Sequence, residues 1–131
     1  MQKAYVDGSL AKQGGWAAVI RGERNYEYSG HFDALDSYEA ELCAVYKALE
    51  TAESRVGIVC DHKEIVKTLR EVIECGNSFV PPEKCKHLWL KIMYEAPYKL
   101  DSVEWVKTDS TPEMRIAHKM ANNQAKIERV R

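Results

Sequence analysis

The stretch SYEAELCAVYKALETAESRVGIVCD, residues 37–61, decides the fold. Its first half repeats apolar residues at helical spacing, with Leu42, Val45, Tyr46 and Leu49 on one stripe. Asp36 and Glu39 have the spacing of a capping box, so a helix is predicted from about Ser37 to Ala52. Arg55 to Cys60 then reads as a buried strand that closes on Asp61. A second helix over Lys63–Cys75 carries Ile65, Val66, Leu69, Val72 and Ile73, and Gly76 stops it. Strand, long helix and strand in that order argue for a right-handed parallel crossover.

On the N-terminal side, Lys3–Val6 reads as a short strand, followed by the flexible segment GSLAKQGG. Trp16–Ile20 and Tyr26–Phe32 are two further strands joined by a turn over Gly22–Asn25. Gly-rich connections and aromatic strand residues make this opening an antiparallel meander. Beyond Gly76, the prolines of Asn77–Pro82 exclude continuous helix. Glu83–Ala96 is predicted helical, with Leu88, Trp89, Ile92 and Met93 toward the core and Pro97 at its end. Ser102–Val106 is a last strand, and Pro112 opens a final helix with Ala117, Met120, Ala121 and Gln124 on one face. The order β-β-β-α-β-α-α-β-α predicts an α/β fold, a five-stranded mixed sheet flanked by helices, as a single domain over residues 1–131.

A chain of 131 residues that is 45% apolar and 30% charged suffices for one globular domain with a real core. No stretch approaches the roughly 20 apolar residues that span a bilayer. The first strand begins almost at Met1 and leaves no room for a leader, so a cytoplasmic location is expected. Cys43, Cys60, Cys75 and Cys85 form no CxxC pair, which favours free thiols in a reducing compartment. A net charge of -1 gives no overall attraction for nucleic acid. Local basic stretches remain: Lys84, Lys86, His87 and Lys91, and the tail residues Arg115, Lys119, Lys126, Arg129 and Arg131. Each reads as a basic rim or as a solvated helix face.

Three acids stand at strand ends and on a helix face. Asp7 closes KAYVD before Gly8 and Ser9, Asp61 closes VGIVCD, and Glu41 lies near the apolar stripe of its helix. Singly, Asp7 can be a turn residue, Asp61 can cap the next helix with Glu64, and Glu41 can form a salt bridge. Together they form an acid cluster whose mutual repulsion a cation would relieve. An all-oxygen site suits Mg²⁺, with Mn²⁺ as a substitute. Two such ions about 4 Å apart activate water and stabilise the leaving oxygen of a phosphodiester. This reading requires the three acids to converge within about 5 Å, with His118 facing them.

YVDGS, GGWAAVI, YEAELCAVYKALE, VGIVCDHKEIVKTL and WVKTDSTPEMRIAHKMANNQA resemble the ordered blocks of a type 1 ribonuclease H over nearly the whole chain. The resemblance implies a ribonuclease H-like fold. It also implies cleavage of the RNA strand of RNA/DNA hybrids, with Mg²⁺ or Mn²⁺ held by four carboxylates. Three of those roles pass to Asp7, Glu41 and Asp61. The last block departs from the family pattern: the mobile histidine place holds Asp109, and the final acid place holds His118. His118 is then a metal ligand or a rim contact, and Asp109 either restores the missing acid or is an ordinary loop residue. A nitrogen ligand suits Mn²⁺ better than Mg²⁺, so weak or Mn²⁺-preferring activity is expected.

The groove-reading segment before the glutamate is Asp36, Ser37 and Tyr38 instead of Thr-Asn-Asn, and the family's long basic protrusion is missing. Gly8, Ser9, Ser37, Tyr38 and Asp109 are therefore possible substrate or auxiliary residues. The alternative to a nuclease is a catalytically silent nucleic-acid-binding or protein-interaction domain on the same fold. Trp16, Trp89 and Trp105 occupy core-compatible positions, His31 reads as an ordinary partly exposed histidine, and His62, which follows Asp61, is either part of the acid site or a helix-edge surface residue.

Overall fold

In the computed structural model, which describes residues 2–128, the chain opens with strands β1 (Gln2–Leu10), β2 (Gly14–Arg21) and β3 (Tyr26–Phe32). Helix α1 (Ser37–Thr51), strand β4 (Val56–Cys60) and helix α2 (Lys63–Cys75) follow. After a 3-10 turn at Gly76–Ser78 come helix α3 (Lys86–Lys99), strand β5 (Leu100–Trp105) and helix α4 (Pro112–Ala125). The strands form one sheet in the order β3-β2-β1-β4-β5. β1, β2 and β3 pair antiparallel, while β4 runs parallel to both β1 and β5. The five-stranded mixed sheet expected from the sequence is therefore present. Arg129 and Arg131 lie outside the described residues.

Strand alternation sorts side chains to the two faces. Ala4, Val6, Ala18 and Ile20 face the larger core, built with α1, α2 and α3. Tyr5, Ala17 and Val19 face the other way, onto Ala117 and Ala121 of α4. Leu42, Val45 and Leu49 of α1 are fully buried, and each such side chain contributes about 1.5–3 kcal/mol of burial. Asp36 caps α1 as its spacing predicts: its Oδ1 accepts from the Glu39 amide at 2.9 Å. Glu39 answers by accepting from the Leu35 amide at 2.9 Å.

Several boundaries differ from the sequence expectation. β1 does not end at Val6; it runs through Asp7, Gly8 and Ser9 to Leu10, because these residues pair with Gly14–Ala17 of β2. The segment read as a flexible connection is thus mostly strand. α3 starts at Lys86 rather than Glu83, after Cys85 in a left-handed conformation (φ 56°). It also continues past Pro97 to Lys99. A proline in the last turn removes one intrahelical donor, and neighbouring side chains hold the turn in place. Arg55 donates to the carbonyls of Pro97 and Leu100 at 3.1 and 2.9 Å. Consequently β5 begins directly at Leu100, before the Ser102 expected. Trp89 is buried, but Trp105 is 37% exposed and does not belong to the core.

Candidate active site

The sheet register brings two of the acids together. Tyr5 pairs with Val59 at the end of the parallel β1–β4 ladder, and Asp7 and Asp61 each lie two residues beyond that pair. Asp7 shares the parity of Tyr5, so its side chain lies toward α4, and it is only 3% exposed. Glu41 arrives from the opposite layer, where α1 crosses β1. That crossing explains Gly8: a Cβ there would strike the backbone of Ala40 and Glu41. The close approach that glycine permits is made by the chain's own helix.

Ligand oxygens of Asp7, Glu41 and Asp61 all lie within 4.8 Å of one another. Burial, then the charge of Asp61, pushes the Asp7 carboxyl up to about 6, with His118 pulling the other way. Burial, then Asp61 and Asp7, raises Glu41 to about 9. Among the described residues Glu41 lies 3.7 Å from Nε2 of His62 and forms no salt bridge with a lysine or arginine. Three hard oxygen donors with uncompensated repulsion fit a divalent cation such as Mg²⁺ or Mn²⁺.

Side chains around the cluster position it. Thr108 donates from Oγ1 to Oδ2 of Asp61 at 3.1 Å, and the indole Nε1 of Trp105 donates to the Asp61 carbonyl at 3.0 Å. Asp61 does not cap α2. His62 does, with its Nδ1 accepting from the Ile65 amide at 3.3 Å. Because α2 begins at Lys63, the cap position falls on His62 and not on Asp61.

His118 faces the cluster from α4, its Nδ1 2.8 Å from Oδ2 of Asp7. Its Nε2 lies 3.1 Å from Nδ2 of Asn122. Asp109 is exposed, in a left-handed loop conformation (φ 57°) that aspartate tolerates. Its carbonyl accepts from Arg115 at 3.1 Å, and its carboxylate stays outside the acid cluster. It does not restore a fourth acid.

One acid on β1, one at the end of β4, one on α1 and a histidine against them make up the candidate site. A family model described as RNase H matches residues 2–128. The chain belongs to the RNase H family. Among curated proteins, a search finds no matching relative. RNase H membership supports nuclease-type action on RNA/DNA hybrids, and members typically use divalent metal ions. Among the described residues, no helix is long and apolar enough to cross a membrane.

In this RNase H chain, two of the three residues that stand in place of Thr-Asn-Asn, Asp36 and Tyr38, are engaged internally. Asp36 caps α1 and pairs with Lys84 at 3.1 Å. The Tyr38 hydroxyl accepts from Nε1 of Trp89 at 3.2 Å, and Lys84 lies over its ring at 4.6 Å. Three contributors escaped the sequence reading: Thr108, Asn122 and the capping role of His62. Asn122 had a readable signal, since it stands four residues from His118 on one helix face.

Proposed function

We propose that this chain is a metal-dependent endonuclease that cleaves the RNA strand of RNA/DNA hybrids, with weak or Mn²⁺-preferring turnover. The observation that carries the reading is the convergence of Asp7, Glu41 and Asp61 within 4.8 Å. These carboxylates would hold the divalent ion, with Thr108 and the Trp105 indole orienting Asp61. The bound ion supplies water activation and stabilises the negative charge that develops on the phosphate. Glu41 and Asp7 hold protons more tightly than ordinary carboxyls, so their full charge develops when a cation offsets it. Ser37, at the start of α1, offers a hydroxyl toward the hybrid. RNA would be told from DNA by duplex shape and its 2′-hydroxyls.

The test is cleavage of a labelled RNA/DNA hybrid with Mg²⁺ and, separately, with Mn²⁺. The RNA strand alone should be cut, faster with Mn²⁺, and Asp7→Asn should abolish the reaction. One observation favours a second reading, a silent hybrid-binding domain: a histidine sits against Asp7 where the family supplies an acid. Hybrid binding by the folded protein without cleavage in either metal would select it.

A further inference from the structure

His118 stands where a fourth ligand would be sought, yet both of its ring nitrogens are engaged. Nδ1 meets Oδ2 of Asp7 at 2.8 Å, and Nε2 meets Nδ2 of Asn122 at 3.1 Å. Ser9 completes this relay. Its hydroxyl donates to Oδ1 of Asn122, and the amide nitrogen of Asn122 faces His118. An amide nitrogen can only donate, so Nε2 accepts. A neutral imidazole that accepts at Nε2 carries its proton on Nδ1, and that N–H points at Asp7. A histidine ligates through a free ring lone pair. The Nε2 lone pair is held by Asn122, and Nδ1 is protonated.

Resting on the ion-binding reading above, we propose that His118 is a positioning residue, not a ligand. It donates Nδ1–H to Asp7, and the chain binds one divalent ion on Asp7, Glu41 and Asp61 rather than two. The role of a second ion's carboxylate is replaced by a fixed hydrogen-bond donor that orients Asp7 from α4. Three carboxylates suffice for one partly hydrated ion of the Mg²⁺ or Mn²⁺ type. Ser9 and Asn122 then serve the acid cluster by fixing the tautomer, a supporting arrangement often found behind metal sites.

Two measurements on the full chain test this. Imidazole nitrogen NMR shifts of the chelator-treated protein should show the Nδ1–H tautomer at His118; the Nε2–H tautomer would overturn the proposal. Calorimetric titration with Mn²⁺ should give one ion per chain. The electron paramagnetic resonance spectrum should then show neither manganese–manganese coupling nor nitrogen hyperfine coupling. His118→Asp should raise the stoichiometry from one to two and introduce the manganese pair signal. Two ions on the parent protein, or nitrogen coupling to bound Mn²⁺, would overturn the role given to His118 while leaving the ion site standing. No Mn²⁺ binding at all, with the Nδ1–H tautomer intact, would instead overturn the ion-binding reading and the stoichiometry with it.

Discussion

Gly8 of β1 lies against the backbone amide of Glu41 in α1, so the position of Glu41 is set by a side chain that is not there. A methyl group at residue 8 meets main chain, which cannot swing aside as a flexible side chain could. Gly8→Ala should therefore push α1 off the sheet and lower stability by about 1–3 kcal/mol, the usual cost of overpacking. It should also weaken Mn²⁺ binding, because Glu41 moves relative to Asp7 and Asp61. Urea denaturation and calorimetry check both effects. A variant of unchanged stability and unchanged ion affinity would show that α1 does not depend on this contact.

The sheet and its helices were legible because their patterns are local. The stripe Leu42, Val45, Leu49 and the run ending at Cys60 carry their periods within a few residues. The acids at Asp7 and Asp61 were legible as ends of apolar runs, and both follow the last pair of the parallel β1–β4 ladder, where they converge. What escaped depends on long-range partners. The passage of β1 through Gly8 and Ser9 is decided by Trp16 and Gly15 on the next strand. α3 outlasts Pro97 with the support of Arg55, 42 residues away in sequence. Trp105 reads as core by composition, yet β5 is the sheet edge and its indole reaches across to the Asp61 carbonyl. Nor does spacing reveal that His118 meets Asp7 through Nδ1.

The raised carboxyls predict how stability varies with pH in chelator-treated protein. Glu41 moves from an ordinary value of 4.5 to about 9 on folding. Between those values the folded chain keeps a proton that the unfolded chain has released. The contribution is thus fully present below about pH 4.5 and is lost as pH rises toward about 9. Asp7 adds a narrower window in the same direction, from 3.8 to about 6. Glu41→Gln cannot titrate, so its advantage over the parent should widen with pH, by at least about 1.4 kcal/mol, the equivalent of one pKa unit. Urea melts across this range measure the gap. A pH-independent difference between the two proteins would remove the raised Glu41 from the account, and adding Mn²⁺ should restore the parent at high pH.

Thr108 donates to Asp61 at 3.1 Å from the loop after β5. Removing such a supporting hydrogen bond typically costs about 10–100-fold in metal affinity. Thr108→Val keeps the shape and deletes the hydroxyl, so Mn²⁺ affinity should fall by about 10-fold or more. Stability should change by less than about 1 kcal/mol, since the side chain is exposed. Thr108→Ser should recover the affinity. Equal Mn²⁺ affinity in all three proteins would mean that Asp61 is oriented without this contact.

His62 joins the helix to the acid cluster, and two substitutions separate those functions. Its Nδ1 caps α2 through the Ile65 amide at 3.3 Å, while its Nε2 lies 3.7 Å from Glu41. His62→Ala removes both contacts and should cost about 0.5–2 kcal/mol, the range for losing an N-cap. Asparagine is among the best capping residues but lacks the reach of an imidazole. His62→Asn should therefore return stability to near the parent value without restoring the contact to Glu41. If that contact orients Glu41, hybrid cleavage should remain reduced in His62→Asn although the fold is fully recovered. Cleavage that follows stability in both variants would assign His62 to the helix cap alone.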